Sequence, residues 1–274
     1  MSFELRSLDV RHPSASSADE HALAGLTMSI AQGEQVALVG PSGAGKTTLL
    51  HTLAGAHKPD AGQFSLFGME VWQLSHRDRH ALRRRLFLAP QVPPLPPRQR
   101  VVTAVLAGRL PQWSTWQALM SLLHPRDTQA AFDALTPFNL QDKLYARVDR
   151  LSGGERQRCS MARLLVSDAQ AFLVDEPLSA LDPALAQQTL GVLQREAAKR
   201  NATLICSLHQ VELARTSFPR LIGLRDGRIL FDAKREDISD AMIDELYRNA
   251  AQDSPFAEPD LLRDPRASIG TRCF

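Results

Sequence analysis

The stretch from Gln35 to Thr48, Gln-Val-Ala-Leu-Val-Gly-Pro-Ser-Gly-Ala-Gly-Lys-Thr-Thr, constrains this chain more than any other. It begins as an apolar run short enough for a single buried strand. A Gly-rich turn follows, Gly40-Pro41-Ser42-Gly43-Ala44-Gly45, and Lys46-Thr47-Thr48 then opens a helix-like segment. This is the G-x-x-x-x-G-K-[ST] spacing in its strand–turn–helix setting. The glycines let successive backbone N–H groups curl round a phosphate, and the new helix adds the positive end of its dipole. Lys46 supplies a mobile cation for β- and γ-phosphates, and the Thr47 hydroxyl suits Mg²⁺. A chain built on this element is expected to hold a nucleoside triphosphate.

The rest of the chain narrows the setting. A length of 274 residues allows one large α/β domain or two small ones. The formal charge of +2 creates no global basic field for nucleic acid. Cys159, Cys206 and Cys273 are scattered without metal-ligand spacing and read as reduced thiols of a cytosolic protein. The N-terminal residues lack the basic-then-apolar pattern of a signal peptide. No window approaches the roughly eighteen apolar residues of a membrane span, so a membrane role is expected to come through a partner.

Residues 3–10 and 22–30 alternate apolar and polar, which predicts an antiparallel sheet attached to the nucleotide core. A further short strand is expected at Gln63–Phe67. The basic run Leu74–Arg85 reads as a helix with a solvated charged face, because no aromatic residue interleaves it. Leu86–Ala89 is strand-like and leads to Gln91, and Val92–Pro97 reads as a stiff connector. A helical lobe is predicted over about 92–150, with Trp113 and Trp116 as core or interface anchors. Leu151-Ser152-Gly153-Gly154-Glu155 opens a helix to Leu165, and the apolar run Ala171–Val174 ends at Asp175-Glu176. Ser179–Asp182 is a turn, Pro183 starts a helix to Arg200, and Thr203–Leu208 ends at His209. A hairpin is expected around Asp226-Gly227 and a last helix at Ala241–Asn249. Residues 251–274 read as a weakly ordered tail.

Four strand-like runs therefore each end at a residue of catalytic type: the Gly40 loop, Gln91, Asp175-Glu176 and His209. In an open parallel α/β sheet, ligands bind at the carboxyl ends of the strands. Asp175 is placed to hold Mg²⁺, and Glu176 to face the water that attacks the γ-phosphate. His209 is expected to contact the γ-phosphate. Gln91, both donor and acceptor, is expected to touch Mg²⁺ and water. The Ser152 loop is a second anion site at a helix N-terminus, which implies a head-to-tail dimer in which it covers the partner's nucleotide.

Together these motifs resemble the ATP-binding subunit of an ABC transporter, over roughly residues 3 to 248. The resemblance implies a P-loop NTPase core with a mostly parallel sheet, an N-terminal antiparallel β-subdomain and an inserted α-helical subdomain. It implies ATP and Mg²⁺ as ligands, with Lys46 and Glu176 acting in an ATPase of residues 1–250. It further implies a homodimer docked beneath two transmembrane permease subunits, peripheral on the cytoplasmic face of the inner membrane, with a substrate-binding protein as indirect partner. Asp182 would cross the dimer axis, and Gln91 with the helical lobe would form the coupling surface. Leu208-His-Gln-Val-Glu-Leu-Ala214, Asp244–Arg248 and Ala107-Gly-Arg-Leu110 are similar to phosphonate-type importer ATPases. Amino-acid, metal and osmolyte importers, exporters and lipoprotein-release systems share the main motifs. Soluble ABC ATPases acting on DNA or the ribosome usually carry two cassettes or a long coiled-coil insertion, and this chain has neither. The family usually stacks adenine on an aromatic ring near the end of the first strand, where this chain offers His12 before Pro13. Cys159, in place of a small aliphatic residue, reads as a buried apolar group.

Overall fold

The structure is a computed structural model that describes residues 1–11, 21–123 and 127–248. His12, Pro13, residues 124–126 of the expected lobe, Asn249 and residues 251–274 lie outside the described residues.

Alternation builds the first sheet. β1 (Phe3–Arg11) pairs antiparallel with β2 (His21–Ile30) on one side and β4 (Ala61–Leu66) on the other. The two-residue β5 (Met69–Glu70) completes the order β2-β1-β4-β5. The apolar set Phe3, Leu5, Leu8 and Val10 points to the same core as Phe64 and Leu66. The strand expected to reach Phe67 stops at Leu66, because Phe67 (φ 49) and Gly68 (φ 80) form the two-residue turn into β5. Both central residues of such a turn need positive φ, and a bulky Phe at the first position conceals it.

The second sheet carries β3 (Gln35–Val39), β6 (Leu86–Ala89), β7 (Ala171–Asp175), β8 (Thr203–Ser207), β9 (Arg220–Arg225) and β10 (Arg228–Lys234) in the order β10-β9-β3-β8-β7-β6. All neighbours are parallel except the β9–β10 hairpin, whose turn is Asp226-Gly227 as expected. The parallel strands are apolar on both faces because both faces are covered. Val36, Leu38, Leu173 and Ile205 meet α1 (Lys46–Leu53) and the antiparallel sheet. Ala37, Val39, Phe172, Val174, Leu204 and Cys206 face a second cluster. That cluster is shared with α6 (Gly153–Leu165), α7 (Pro183–Arg200) and the helical lobe.

The remaining helices are α2 (His76–Arg83), α3 (Val101–Leu106), α4 (Thr115–Leu123), α5 (Thr128–Leu135), α8 (Val211–Ser217) and α9 (Asp240–Tyr247). α2 buries only Leu82 and is capped by the Ser75 hydroxyl, so the basic run is a charged outer face. Backbone bonds pin the start of α3 to the chain leaving the lobe: Val101 N to Ala146 O at 2.9 Å, and Val148 N to Gln99 O at 2.9 Å. Trp113 packs on the core. Trp116 is 66% exposed, with the also exposed Leu119 one turn on, so it is not a core anchor. Among the described residues no helix is long and apolar enough to cross a membrane.

Candidate nucleotide site

The Gly40–Thr48 loop leaves β3 at the centre of the parallel sheet. Gly40 has φ 149, and a Cβ there would stand 2.1 Å from Leu224 O. No side chain fits that approach. Gly45 (φ 98) starts α1. The β9–β10 turn braces the loop from outside, with Gly227 N donating to Ala44 O at 3.3 Å and Ala24 N to Gly227 O at 2.8 Å. Sequence reasoning read that turn only as a hairpin. Ser42, Gly43 and Thr47 are open to solvent, whereas Ala44, Lys46 and Thr48 are buried.

Lys46 is the loop's charge. Its side chain folds back, and Nζ donates to Gly40 O at 2.7 Å and Pro41 O at 3.0 Å. Burial lowers its pKa, and the charges of Glu176 and Asp175 work in the opposite direction. A buried ammonium held mainly by carbonyls is set up to gain an anionic partner.

The carboxylates arrive on β7. Asp175 is 2% exposed and closes the strand opposite Ser207, the last residue of β8. Ser207 Oγ donates to Asp175 Oδ1 at 2.6 Å and accepts from Glu176 N at 2.9 Å. Sequence reasoning missed Ser207, since its signal lies only in the register of two strands. Glu176 turns away from the strand with φ 47, a left-handed conformation that costs a non-glycine residue on the order of 1 kcal/mol or more. The turn aims the half-buried carboxylate along the carboxyl ends of the strands, where Gln91 Nε2 donates to Oε2 at 2.6 Å. His209 Nε2 lies 2.5 Å from Oε1. The structure thus gathers Gln91, Glu176 and His209, from the ends of β6, β7 and β8, onto one carboxylate.

Ser152 sits elsewhere. It caps α6, accepting from Glu155 N at 3.2 Å, while Glu155 Oε2 accepts from Ser152 N at 2.7 Å. Ser152 and Gly153 are exposed, and a Cβ on Gly154 would lie 2.9 Å from Ala180 O. Among the described residues no hydrogen bond joins Ser152 to Gly40–Thr48 of the same chain. Gln157, also missed from sequence, is the link between the two regions. It is 4% exposed, its Nε2 donates to Glu176 O at 2.7 Å, and its Oε1 accepts from Ala180 N at 3.1 Å. Asp182 caps α7 through Leu185 N at 3.0 Å and is exposed. Burial pushes the Cys159 thiol up to about 12, consistent with an inert apolar role.

The pattern described as ABC transporter matches residues 23–179. Phosphonates import ATP-binding protein PhnC 2 of Albidiferax ferrireducens is 54% identical over 247 residues, 90% of this chain and 89% of the relative. Phosphonates import ATP-binding protein PhnC 1 of Pseudomonas aeruginosa is 50% identical over 270 residues, 97% and 100% of the two chains. Among solved structures, the dimeric ATP-binding cassette MJ0796 bound to ADP and Pi aligns with a TM-score of 0.73 at 23% identity, over 86% of this chain and all of that one. The cbiO1 subunit from Clostridium perfringens aligns at 0.71 with 20% identity, over 90% and 94%. These two share the fold of the core and lobes described above. On its motifs, its architecture and these matches, the chain belongs to the ABC transporter family.

Proposed function

We propose that this chain is the ATP-hydrolysing subunit of an importer for phosphonate or a similar small anion. The observation that carries the reading is the Glu176 carboxylate, held by Gln91 and His209 at the strand ends beside the Lys46 loop. The names of the relatives support the cargo.

In this reading the backbone N–H groups of Gly40–Thr48 and the Lys46 ammonium bind the β- and γ-phosphates. The loop fits the role: Ser42, Gly43 and Thr47 are open to solvent, and the buried Lys46 ammonium is hydrogen-bonded only to the Gly40 and Pro41 carbonyls among the described residues. Thr47, Asp175 and Gln91 are the residues that would hold Mg²⁺, and they offer the oxygen donors that ion prefers. Bound there, the ion would neutralise charge on the phosphate oxygens. Glu176 orients the attacking water and takes its proton. His209 contacts the γ-phosphate and holds Glu176 in place. His12 stacks on adenine.

Residues 1–250 act as one ATPase domain, with the lobe at about 92–150 inserted into it. The exposed Ser152 and Gly153, with the half-buried Gly154, cover the nucleotide of a second copy, and Asp182 lies near the two-fold axis. The dimer works peripherally, on the cytoplasmic face of the inner membrane. Its partners there are two permease subunits and, indirectly, a substrate-binding protein. Nucleic acid plays no part.

The test is reconstitution with the permease subunits in vesicles. ATP hydrolysis is then measured with the cognate binding protein and methylphosphonate, phosphate, an amino acid or a divalent metal. Phosphonate should stimulate most. Stimulation by an amino acid or a metal alone would overturn the cargo.

A further inference from the structure

Glu176 stands at φ 47, and a non-glycine residue keeps that left-handed conformation only where its surroundings over-determine it. Two buried side chains grip its backbone, one on each side. On the amide side, Ser207 Oγ accepts from Glu176 N at 2.9 Å. On the carbonyl side, Gln157 Nε2 donates to Glu176 O at 2.7 Å. Ser207 is fully buried and Gln157 is 4% exposed, so water does not compete for either bond. Gln91 and His209 then hold the carboxylate itself.

The place of Ser207 is set by register. In β8 it lies opposite Asp175 of β7 on one side and Leu38 of β3 on the other. A hydroxyl has one proton to give and lone pairs to receive. The Glu176 amide can only donate, so the Ser207 proton goes to Asp175 Oδ1, 2.6 Å away. The direction of both bonds is therefore fixed. Asp175 anchors the hydroxyl, and the hydroxyl holds the main chain of the next residue. An alanine at 207 would take away the partner of the Glu176 amide. The strained turn would then be free to relax, and rotation of its backbone would carry the carboxylate away from Gln91 and His209.

We propose that Ser207 is a positioning residue for hydrolysis: anchored on Asp175, its hydroxyl keeps Glu176 in the left-handed turn that aims the carboxylate. The inference rests on Glu176 being the base of an ATPase. Ser207 acts through Glu176 and therefore on the chemical step. Its hydroxyl bonds to no residue of Gly40–Thr48 among the described residues, so nucleotide binding is left alone.

The experiment compares Ser207→Ala, which removes the hydroxyl, with Ser207→Thr, which keeps it on a residue suited to a strand. Ser207→Ala is also combined with Glu176→Gln. In the full chain without nucleotide, hydrogen exchange of the Glu176 amide is followed. The Kd of a fluorescent ATP analogue is measured without Mg²⁺, and kcat and KM are measured with the permease subunits in vesicles. For Ser207→Ala, exchange at Glu176 should rise at least about 10-fold, and kcat should fall about 10- to 50-fold. Kd and KM should stay within about twofold. Ser207→Thr should bring kcat back to within about threefold of the wild type. On the Glu176→Gln background, Ser207→Ala should change the residual single-turnover rate by less than about twofold, because residues that act as a unit are not additive. An unchanged kcat in Ser207→Ala, or its full loss repeated on the Glu176→Gln background, overturns the proposal. So does exchange raised evenly over β7 and β8 with a lower melting temperature and no rescue by Thr, which is the signature of a merely structural residue. A wild-type chain that binds ATP without hydrolysing it would remove the base reading instead, and exchange at Glu176 would still decide whether Ser207 holds the turn.

Discussion

Gln91 and Glu176 stand 85 positions apart in the chain, yet the amide nitrogen of one lies 2.6 Å from a carboxylate oxygen of the other. Gln91 is also the last residue before the Pro-rich connector into the helical lobe. A shift of that lobe therefore bears directly on the carboxylate proposed to activate water. With His209 on the second oxygen, Glu176 is restrained from two strand ends at once.

Glu176→Gln keeps the size of the side chain and its contact with His209 but removes the base. Turnover is expected to fall at least about 100-fold. ATP affinity should be unchanged, and an ATP-bound dimer should accumulate. Single-turnover hydrolysis and size-exclusion chromatography with ATP provide the check. Hydrolysis at the wild-type rate would remove Glu176 from its role.

Much of this site is legible before any coordinates. Gly40–Thr48, Asp175, Glu176, His209 and Gln91 each stand at the end of an apolar run, and parallel strands bring such ends to one edge. The helix at Pro183–Arg200 and the turn at Asp226-Gly227 also fall where proline and glycine place them. What stays hidden depends on register or on packing across long separations. Ser207 matters because it lies opposite Asp175, and nothing in Thr203–Leu208 marks it. Gln157 looks like one more polar residue on a helix until Glu176 O and Ala180 N are seen against it. Phe67 conceals its turn because an aromatic residue reads as strand. Trp116 stands outside the core although its size argues for burial, so of the two roles expected for it only that of an interface anchor remains.

Ser152 is both a helix cap and a proposed contact to the nucleotide of a second copy, and substitution can separate the two. Asp is as good a cap as Ser, but its charge would repel a triphosphate. Ser152→Asp should leave the melting temperature and single-chain ATP binding intact while abolishing ATP-dependent dimerisation. Ser152→Arg loses the cap as well, at about 1 kcal/mol of stability. Dimerisation of Ser152→Asp at wild-type ATP concentrations would argue against the trans contact.

Glu155 gives the chain a measurable response to acid. The backbone amide of Ser152 favours its charged form, and its carboxyl titrates below the ordinary value of 4.5. A depressed folded-state pKa adds stability that is complete above the unfolded value. That stability is lost as pH falls through the folded one. Glu155→Gln should therefore cost about 0.5–1 kcal/mol at pH 7, and the difference should vanish in strong acid. Urea unfolding of both proteins at pH 7 and pH 3 measures it. An equal difference at the two values would assign the effect to packing instead of charge.

The central place of β3 has a consequence for how this protein is made. The loop lies early in the chain, but the strands on either side of β3 are β8 and β9, with Val39 paired to Gly223. At about 5–20 residues per second, a ribosome needs roughly 10–40 s to travel from the first of these residues to the second. For most of that interval the nascent polypeptide carries the whole G-x-x-x-x-G-K-T motif without β8, and until its end it lacks a complete β9. The motif can become a nucleotide site only near the end of synthesis, so an interrupted translation product should neither retain ATP nor compete with finished subunits for the permease.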